Sequence, residues 1–489
     1  MSAARGGARV KEPSGRRSQA TLEQRTIDFV PFSERYGTPR RLFTIWFSCN
    51  LTILGVAAGT LGVSQGLSFA WAALALALGN AIGSVFVAAH SAQGPTLGIP
   101  QMIQSRAQFG VLGASIPLSA VILTYLLYSA ADGLVIQGTL RTLLDVGNTG
   151  ALLVFAAATL LIAFVGYELI HRLGTILTFV SAALFITVAY LVMTRYSAHS
   201  FAHTTAQGHY SGSLFVLTLT QAAAWALSYG PYVADYSRYL PNDVTASSTF
   251  WNTGIGCFLG STLIMTLGAV VASVAPDLYM TADLGSSLAN LFGPWRPLAQ
   301  LLMVVGVVQG NVMNLYSAYM STVTILSSIR GVERITPLGK LLAMAGLMVI
   351  ATLISLSAQD KFQAYFSDVL NAMIYLLVPW SAINLADYYL VRKGHYDLAG
   401  MFDANGIYGA YRWATIGVFS LAVLAQTPFM SLSFYQGPLA KWIGSDVAWV
   451  PGLLIPAALH VWVERRANAR SDRLSALNPG TAGAQARLP

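Results

Sequence analysis

One carboxylate, Asp132, stands in the middle of an otherwise apolar run, "TYLLYSAADGLVIQG" at 124–138. Tyr125, Tyr128 and Asp132 are spaced i, i+3, i+7, which places them on one face of a helix. A carboxyl group in such a place can accept N–H bonds, carry a proton or balance a cation, and phenols add polar tips on aromatic bodies. Of the 20 acidic residues, Asp132 alone lies well inside an apolar run. Holding a carboxylate in lipid costs at least about 2.5 kcal/mol, so the face must look onto a cavity or a partner. A plain hydrogen-bond anchor to a neighbouring helix is the competing reading.

Two further groups have chemical potential. In "VVQGNVMNLYSAYMS" at 307–321, Asn311, Asn314 and Ser317 share a helix face. Carboxamides donate and accept together, which suits the edge of a heterocycle, although Asn also joins helices inside membranes. In "AAAWALSYGPYVADYSRYLP" at 222–241, Trp225 and Tyr229 are four apart beside Gly230-Pro231, and aromatic faces there can stack on a flat ring. No phosphate-binding glycine loop, HExxH motif or Ser–His–Asp set falls on the apolar runs. The seven His occupy loops, tails and the ends of runs, and Cys49 and Cys257 read as packing residues. These residues predict neither an enzyme nor a bound metal or cofactor.

The elements that must position these groups follow from composition. The chain of 489 residues is 55% hydrophobic and 10% charged, with a mean hydropathy of +0.58, where a soluble domain carries about 25% charged residues. Apolar segments fall at about 42–67, 69–92, 113–140, 150–167, 173–194, 214–237, 252–274, 297–328, 338–357, 364–388, 412–430 and 446–463. Twelve candidate spans put both termini on one side. With that side cytoplasmic, 23 of the 28 Lys and Arg face inward and only Arg141, Arg195, Arg296, Lys361 and Lys441 face outward. The positive-inside bias predicts a multi-pass protein of the cell membrane with both termini cytoplasmic. It also accounts for the formal charge of +8 without nucleic-acid binding.

The expected organisation is a cytoplasmic tail at 1–41, a transmembrane transporter domain at 42–463 and a cytoplasmic tail at 464–489. Both tails lack an apolar pattern and are expected to be disordered. The first 41 residues also lack the apolar core of a secretory signal. Two spans are interrupted, the first by Gly55, Gly59 and Gly62, the sixth by Gly230-Pro231. Either break alone reads equally as a packing kink. Irregular backbone at membrane depth persists where it lines a cavity or is buried in protein. Spans one and six are equivalent positions in a five-plus-five inverted repeat with two helices appended, the arrangement in which broken helices build a midplane site.

Several stretches together resemble the purine–cytosine permease family, the nucleobase:cation symporters. They are "LEQRTIDFVPFSERYGTPRRLFTIWFSCN", "GPTLGIPQMIQSRAQFG", "YGPYVADYSRYLP" and "NLADYYLVRKGHYD", within a likeness running from about 22 to 465. The resemblance implies an all-α membrane protein of twelve helices with the leucine-transporter-type fold and broken helices 1 and 6. It implies secondary active import of a planar nitrogen heterocycle (cytosine, a purine, uracil, allantoin or similar) by cation symport. By local matching, Thr52, Tyr128, Asp132 and Asn314 face the substrate, and either Trp225 or Tyr229 stacks on it. Asn311 is kept as a further candidate from its spacing.

The cation site of sodium-coupled relatives maps onto the backbone of Ser48 and Leu51 and onto span-eight positions occupied by Val308 and Gln309. Na⁺ needs several oxygen ligands, and the Val side chain has none. The expectation is therefore H⁺ rather than Na⁺, with Asp132 as a proton-linked anchor, since a desolvated carboxyl holds its proton more tightly. An amino-acid or amine carrier of the same fold, or a thiamine-like cationic-heterocycle transporter, is the alternative. The expected partners are the small heterocycle and the lipid bilayer, with no obligate protein partner. Arg106 in the segment before span three is either part of a stiff interfacial linker or an inner-gate partner for Asp235.

Overall fold

A computed structural model describes residues 29–165, 167–196, 209–279, 283–330 and 335–477. Helices dominate; among the described residues the strands are the two-residue pair Ser431–Leu432 and Tyr435–Gln436, joined antiparallel. The principal helices are α1 (Arg40–Ser48), α2 (Ile53–Ser64), α3 (Phe69–Ser91), the short α4 (Gly94–Leu97), α5 (Gln101–Phe109), α6 (Ser115–Leu144), α7 (Asn148–Val165) and α8 (Tyr167–Arg195). They continue as α9 (Gly212–Leu227), α10 (Gly230–Ser237), α11 (Ala246–Val274), α12 (Arg296–Arg330), α13 (Pro337–Ser357), α14 (Phe362–Ala386), α15 (Trp413–Gln426) and α16 (Trp449–Leu477). By length and composition seven described helices can each cross a membrane, and eight if the bent pair α1 and α2 counts as one crossing. Their outer faces carry bare apolar side chains such as Leu161, Phe179 and Ile186, each about 70% exposed, as lipid contact requires.

Both spans are interrupted, but the first break falls at Cys49–Thr52 rather than at the glycines expected to cause it: Gly55, Gly59 and Gly62 lie inside continuous α2, where they serve packing. Between α1 and α2 the chain bends by 63°. Thr52 is extended there (φ −131°, ψ 158°) and its side chain accepts from Gly55 N at 3.2 Å, capping α2. At the second break α9 stops at Leu227 and α10 restarts at Gly230 with Pro231 in its first turn, where a missing N–H costs nothing.

Small residues set how closely the helices around these breaks approach. A Cβ at Gly59 would overlap Met265 O of α11, and one at Gly268 would overlap Val56 O of α2. Gly79 and Gly83 bring α3 against the backbone of α9 at Leu219 and Ala223 in the same way. Four helices thus lock backbone to backbone, the van der Waals packing that drives association in lipid.

The described parts of the two tails lie at one end of the bundle. Residues 1–28 and 478–489 fall outside the described residues, but 29–39 are packed. Val30 N donates to Gly98 O at 2.9 Å, and the buried Arg35 donates to Val30 O at 3.0 Å and Pro95 O at 2.6 Å. At the other terminus α16 runs past residue 463 to Leu477, and Glu464 pairs with Arg412 and, at 3.7 Å, with Arg392.

Candidate functional site

The two breaks meet. Between them lies a cavity of about 380 Å³ including solvent at its mouth, lined among others by Cys49 and Thr52 at the first break, Tyr128 and Asp132 of α6, Trp225, Ser228, Tyr229 and Tyr232 at the second, and Gly310 and Asn314 of α12. Its lining combines an aromatic wall and a polar edge. Trp225 stands edge-on to Tyr128 with ring centroids 5.7 Å apart, and Tyr229 packs against Tyr232 and Trp46.

On the polar side Asn314 Nδ2 donates to Asp132 Oδ2 at 3.3 Å, joining α12 to α6. Among the described residues no cation pairs with Asp132. The Tyr128 hydroxyl is buried and has no hydrogen-bond partner. A free phenol O–H, a carboxyl oxygen and a carboxamide thus converge beside a flat aromatic wall, a set that can grip a planar ring by its edge and face.

Of the residues singled out in the sequence, Thr52, Tyr128, Asp132, Trp225, Tyr229 and Asn314 line this cavity together. Asn311 does not: its Nδ2 donates to Thr159 Oγ1 of α7 at 3.1 Å, so it points along a different side of α12. Three residues on a helix are 300° apart, and a 60° difference suffices to send one amide to the cavity and the other to a neighbour. Leu51 O lies 3.8 Å from where a Gly306 Cβ would be, with Ser181 Oγ of α8 at 3.9 Å from the same point. Ser48 O accepts from Leu51 N at 3.0 Å, Val308 is buried and Gln309 half-buried; none of these four lines the cavity.

Asn50 is the residue that inspection of the sequence missed. It sits at the first break, fully buried, and its Oδ1 accepts from Trp225 Nε1 at 2.6 Å and from Tyr229 OH at 3.1 Å. Its Nδ2 donates to Trp46 O at 2.6 Å. One carboxamide therefore fixes both aromatic candidates and ties the broken helices to each other. The available signal was an Asn in an apolar run at the interruption, "FSCNLT". Cys49 and Cys257 are both free, buried thiols, and Cys49 also lines the cavity.

A wider vestibule, about 1940 Å³ including solvent at its mouth, opens toward the bundle end opposite the tails. Thr60, Gln137, Arg141, Asp283 and Lys361 are among its lining residues. The tail end is filled instead. There Arg106 donates to Met401 O, Thr324 O, Ser327 Oγ and Ser328 Oγ, and Asp235 Oδ1 accepts from Gln101 N at 2.8 Å. The expected Arg106–Asp235 partnership is thus replaced: α5 presents its backbone N–H to Asp235 and turns the guanidinium toward α12.

Two broken helices around a polar-aromatic cavity, within a bundle of lipid-facing helices, define a multi-pass membrane transporter. The family model for permeases of cytosine/purines, uracil, thiamine and allantoin matches residues 29–450, and the chain belongs to that family. It is 39% identical over 461 residues to YxlA of Bacillus subtilis (strain 168), covering 93% of this chain and 100% of that protein. It is 27% identical over 462 residues to the purine-cytosine permease fcyB of Emericella nidulans, covering 90% and 88%. Its fold is similar to that of Mhp1, a nucleobase-cation-symport-1 family transporter solved closed with bromovinylhydantoin bound: TM-score 0.72 at 16% identity, over 92% of this chain and 97% of that one. The chain is a permease and not an enzyme.

Proposed function

We propose that this permease imports a nucleobase or a related planar nitrogen heterocycle by symport with H⁺. Its scaffold on this reading has twelve spans, of which the first ten form a five-plus-five inverted repeat and the first and sixth are broken. The observation that carries the reading is the Asp132–Asn314 pair facing the Trp225–Tyr229 wall in one cavity between the two breaks. The ring would stack on the aromatic wall while Tyr128, Asp132 and Asn314 read its edge, with Thr52 at the helix break beside it. The names of the relatives support a nucleobase-like cargo: cytosine, a purine, uracil, allantoin or similar. Asp132, the carboxyl in the cavity, would load a proton with the substrate and release both on the cytoplasmic side. Ser48, Leu51 and Gln309, with Val308 beside them, would leave Na⁺ short of oxygen ligands.

The test is uptake of labelled bases into proteoliposomes, competed by a panel of heterocycles, at two pH values with and without Na⁺. An inward H⁺ gradient should drive accumulation without Na⁺, and Asp132→Asn should abolish the gradient-driven part. Undiminished proton-driven accumulation in that variant would sink the proton role. The absence of a described cation beside Asp132 also favours a second reading, a cationic or amine substrate held by the carboxylate. In that case Asp132→Asn changes which competitors inhibit rather than how the gradient acts.

A further inference from the structure

Helix α5 is a polar helix buried within the protein. Five of its nine residues are Gln101, Gln104, Ser105, Arg106 and Gln108, and all nine are buried. It fills the tail end of the bundle directly opposite the open vestibule. Every side of it is tied to a different element. Its first N–H goes to Asp235 of α10. Ser105 Oγ accepts from Trp380 Nε1 of α14 at 2.9 Å, and Gln108 donates to Asp387 Oδ2 at 2.9 Å. Phe109 O accepts from Arg412 N at 2.9 Å.

The strongest tie is Arg106. Its Nη2 lies 3.0 Å from Thr324 O and 2.8 Å from both Ser327 Oγ and Ser328 Oγ, and Nη1 reaches Met401 O at 3.2 Å. The Thr324, Ser327 and Ser328 acceptors sit in the last two turns of α12, where a cation is favoured, and Met401 lies in the separate turn Ala399–Phe402. Burial pulls the guanidinium down to about 10, which leaves it charged at neutral pH. Asn314 of the cavity is ten residues earlier on the same helix, roughly 15 Å away.

The ties are balanced by a cost. Gln101 Oε1, Gln104 Nε2, Gln108 Oε1 and Arg106 Nε are buried without partners, as are Gln93 Oε1 and Asn384 Nδ2 nearby. Unpaired buried polar atoms are expensive, and water entering this end would satisfy them. Such a packing is held by a few charge-assisted bonds against many groups that gain from hydration. That is the energetic form of a two-state element.

We propose that α5 is the inner latch of the transport cycle and that Arg106 is the positioning residue that sets it, by clamping α5 to the cytoplasmic end of α12. While the clamp holds, Asp235 and Arg106 together bridge α10 to α12 and the cytoplasmic exit stays shut with the vestibule open. Release of the clamp lets α5 swing away and wets the amides that line the exit. The inference rests on alternating access in this permease but not on the identity of its cargo.

The test uses the full chain in nanodiscs without ligand, with Ser64→Cys, half-buried in the vestibule lining, as the reporter and the parent protein, whose two cysteines are buried, as background. Arg106→Gln should slow thiol labelling at that reporter about tenfold, and speed amide hydrogen exchange over residues 101–113 by a similar factor, as one charged cluster is lost. Arg106→Lys should fall between. If Arg106→Gln does not fold, the Ser327→Ala/Ser328→Ala double variant removes acceptors from the opposite side and should shift both readouts in the same direction. Parental labelling and exchange rates in the folded variants, or a lowered Tm with the labelling rate unmoved, would overturn the latch. Because no substrate is present, a wrong cargo assignment leaves both readouts interpretable.

Discussion

At the scale of single residues the site depends on two side chains with opposite standing. Asn50 accepts from both Trp225 and Tyr229. Asn50→Ala would strand two buried donors at about 1–3 kcal/mol each. It should therefore lower the Tm in detergent and weaken binding of the best substrate from the uptake panel by about 10- to 100-fold. Asn50→Asp keeps an acceptor and should retain most of that affinity. Tyr128 is the reverse case, since its buried hydroxyl has no hydrogen-bond partner among the described residues. Tyr128→Phe should leave the Tm unchanged and reduce only substrate affinity; a fall in Tm without a change in affinity would show the phenol to be a structural group. The difference between these two residues was invisible in the string of letters. Both are polar residues in apolar runs, and only the neighbour supplied by a distant helix separates them.

At the scale of elements, glycines decide whether helices touch or leave room. Gly59 of α2 meets Met265 O with no space for a Cβ, and Gly268 of α11 meets Val56 O. Gly59→Ala should destabilise the protein by about 1–3 kcal/mol through forced separation of the two helices, seen as a lower Tm. Gly310, by contrast, lines the cavity with nothing within 4 Å of an added Cβ. Gly310→Ala should leave the Tm in place and narrow the cavity, penalising a two-ring purine more than a one-ring pyrimidine in competition assays. A drop in Tm for Gly310→Ala equal to that for Gly59→Ala would contradict this division. Some element boundaries were legible: the spans read at 69–92 and 338–357 match helices Phe69–Ser91 and Pro337–Ser357 to within one residue at each end, and 252–274 falls inside Ala246–Val274. The Gly-Pro break at Gly230-Pro231 was legible too, since it acts through the local backbone. The first break was not, because it falls at Cys49–Thr52, ahead of the glycines.

For the whole molecule the governing quantity is the distribution of charge across the bilayer. Inward-assigned segments hold 23 of 28 cationic residues, so the orientation should be testable on intact cells. His395 and Lys361 are exposed at opposite ends of the bundle. A cysteine at Lys361 should react with an impermeant maleimide from outside, and one at His395 only after permeabilisation; the reverse pattern would invert the assigned topology. The vestibule lies at the Lys361 end and the packed α5 at the other. A step that opens the tail end must therefore move the elements that carry the contacts there.

The sequence by itself determined the class of molecule, several of its helices, the Gly-Pro break, and a short set of polar and aromatic residues. Those properties depend on hydropathy, periodicity and backbone chemistry, all local along the chain. Tertiary structure alone decided that Asp132 meets Asn314, that Asn311 turns instead to Thr159, that Asn50 holds both aromatic residues, and that Arg106 clamps α12 rather than Asp235. Each of those outcomes depends on which partner a helix distant in the chain brings within hydrogen-bond reach, and that is set by how the helices pack, not by the residues beside each one in the sequence.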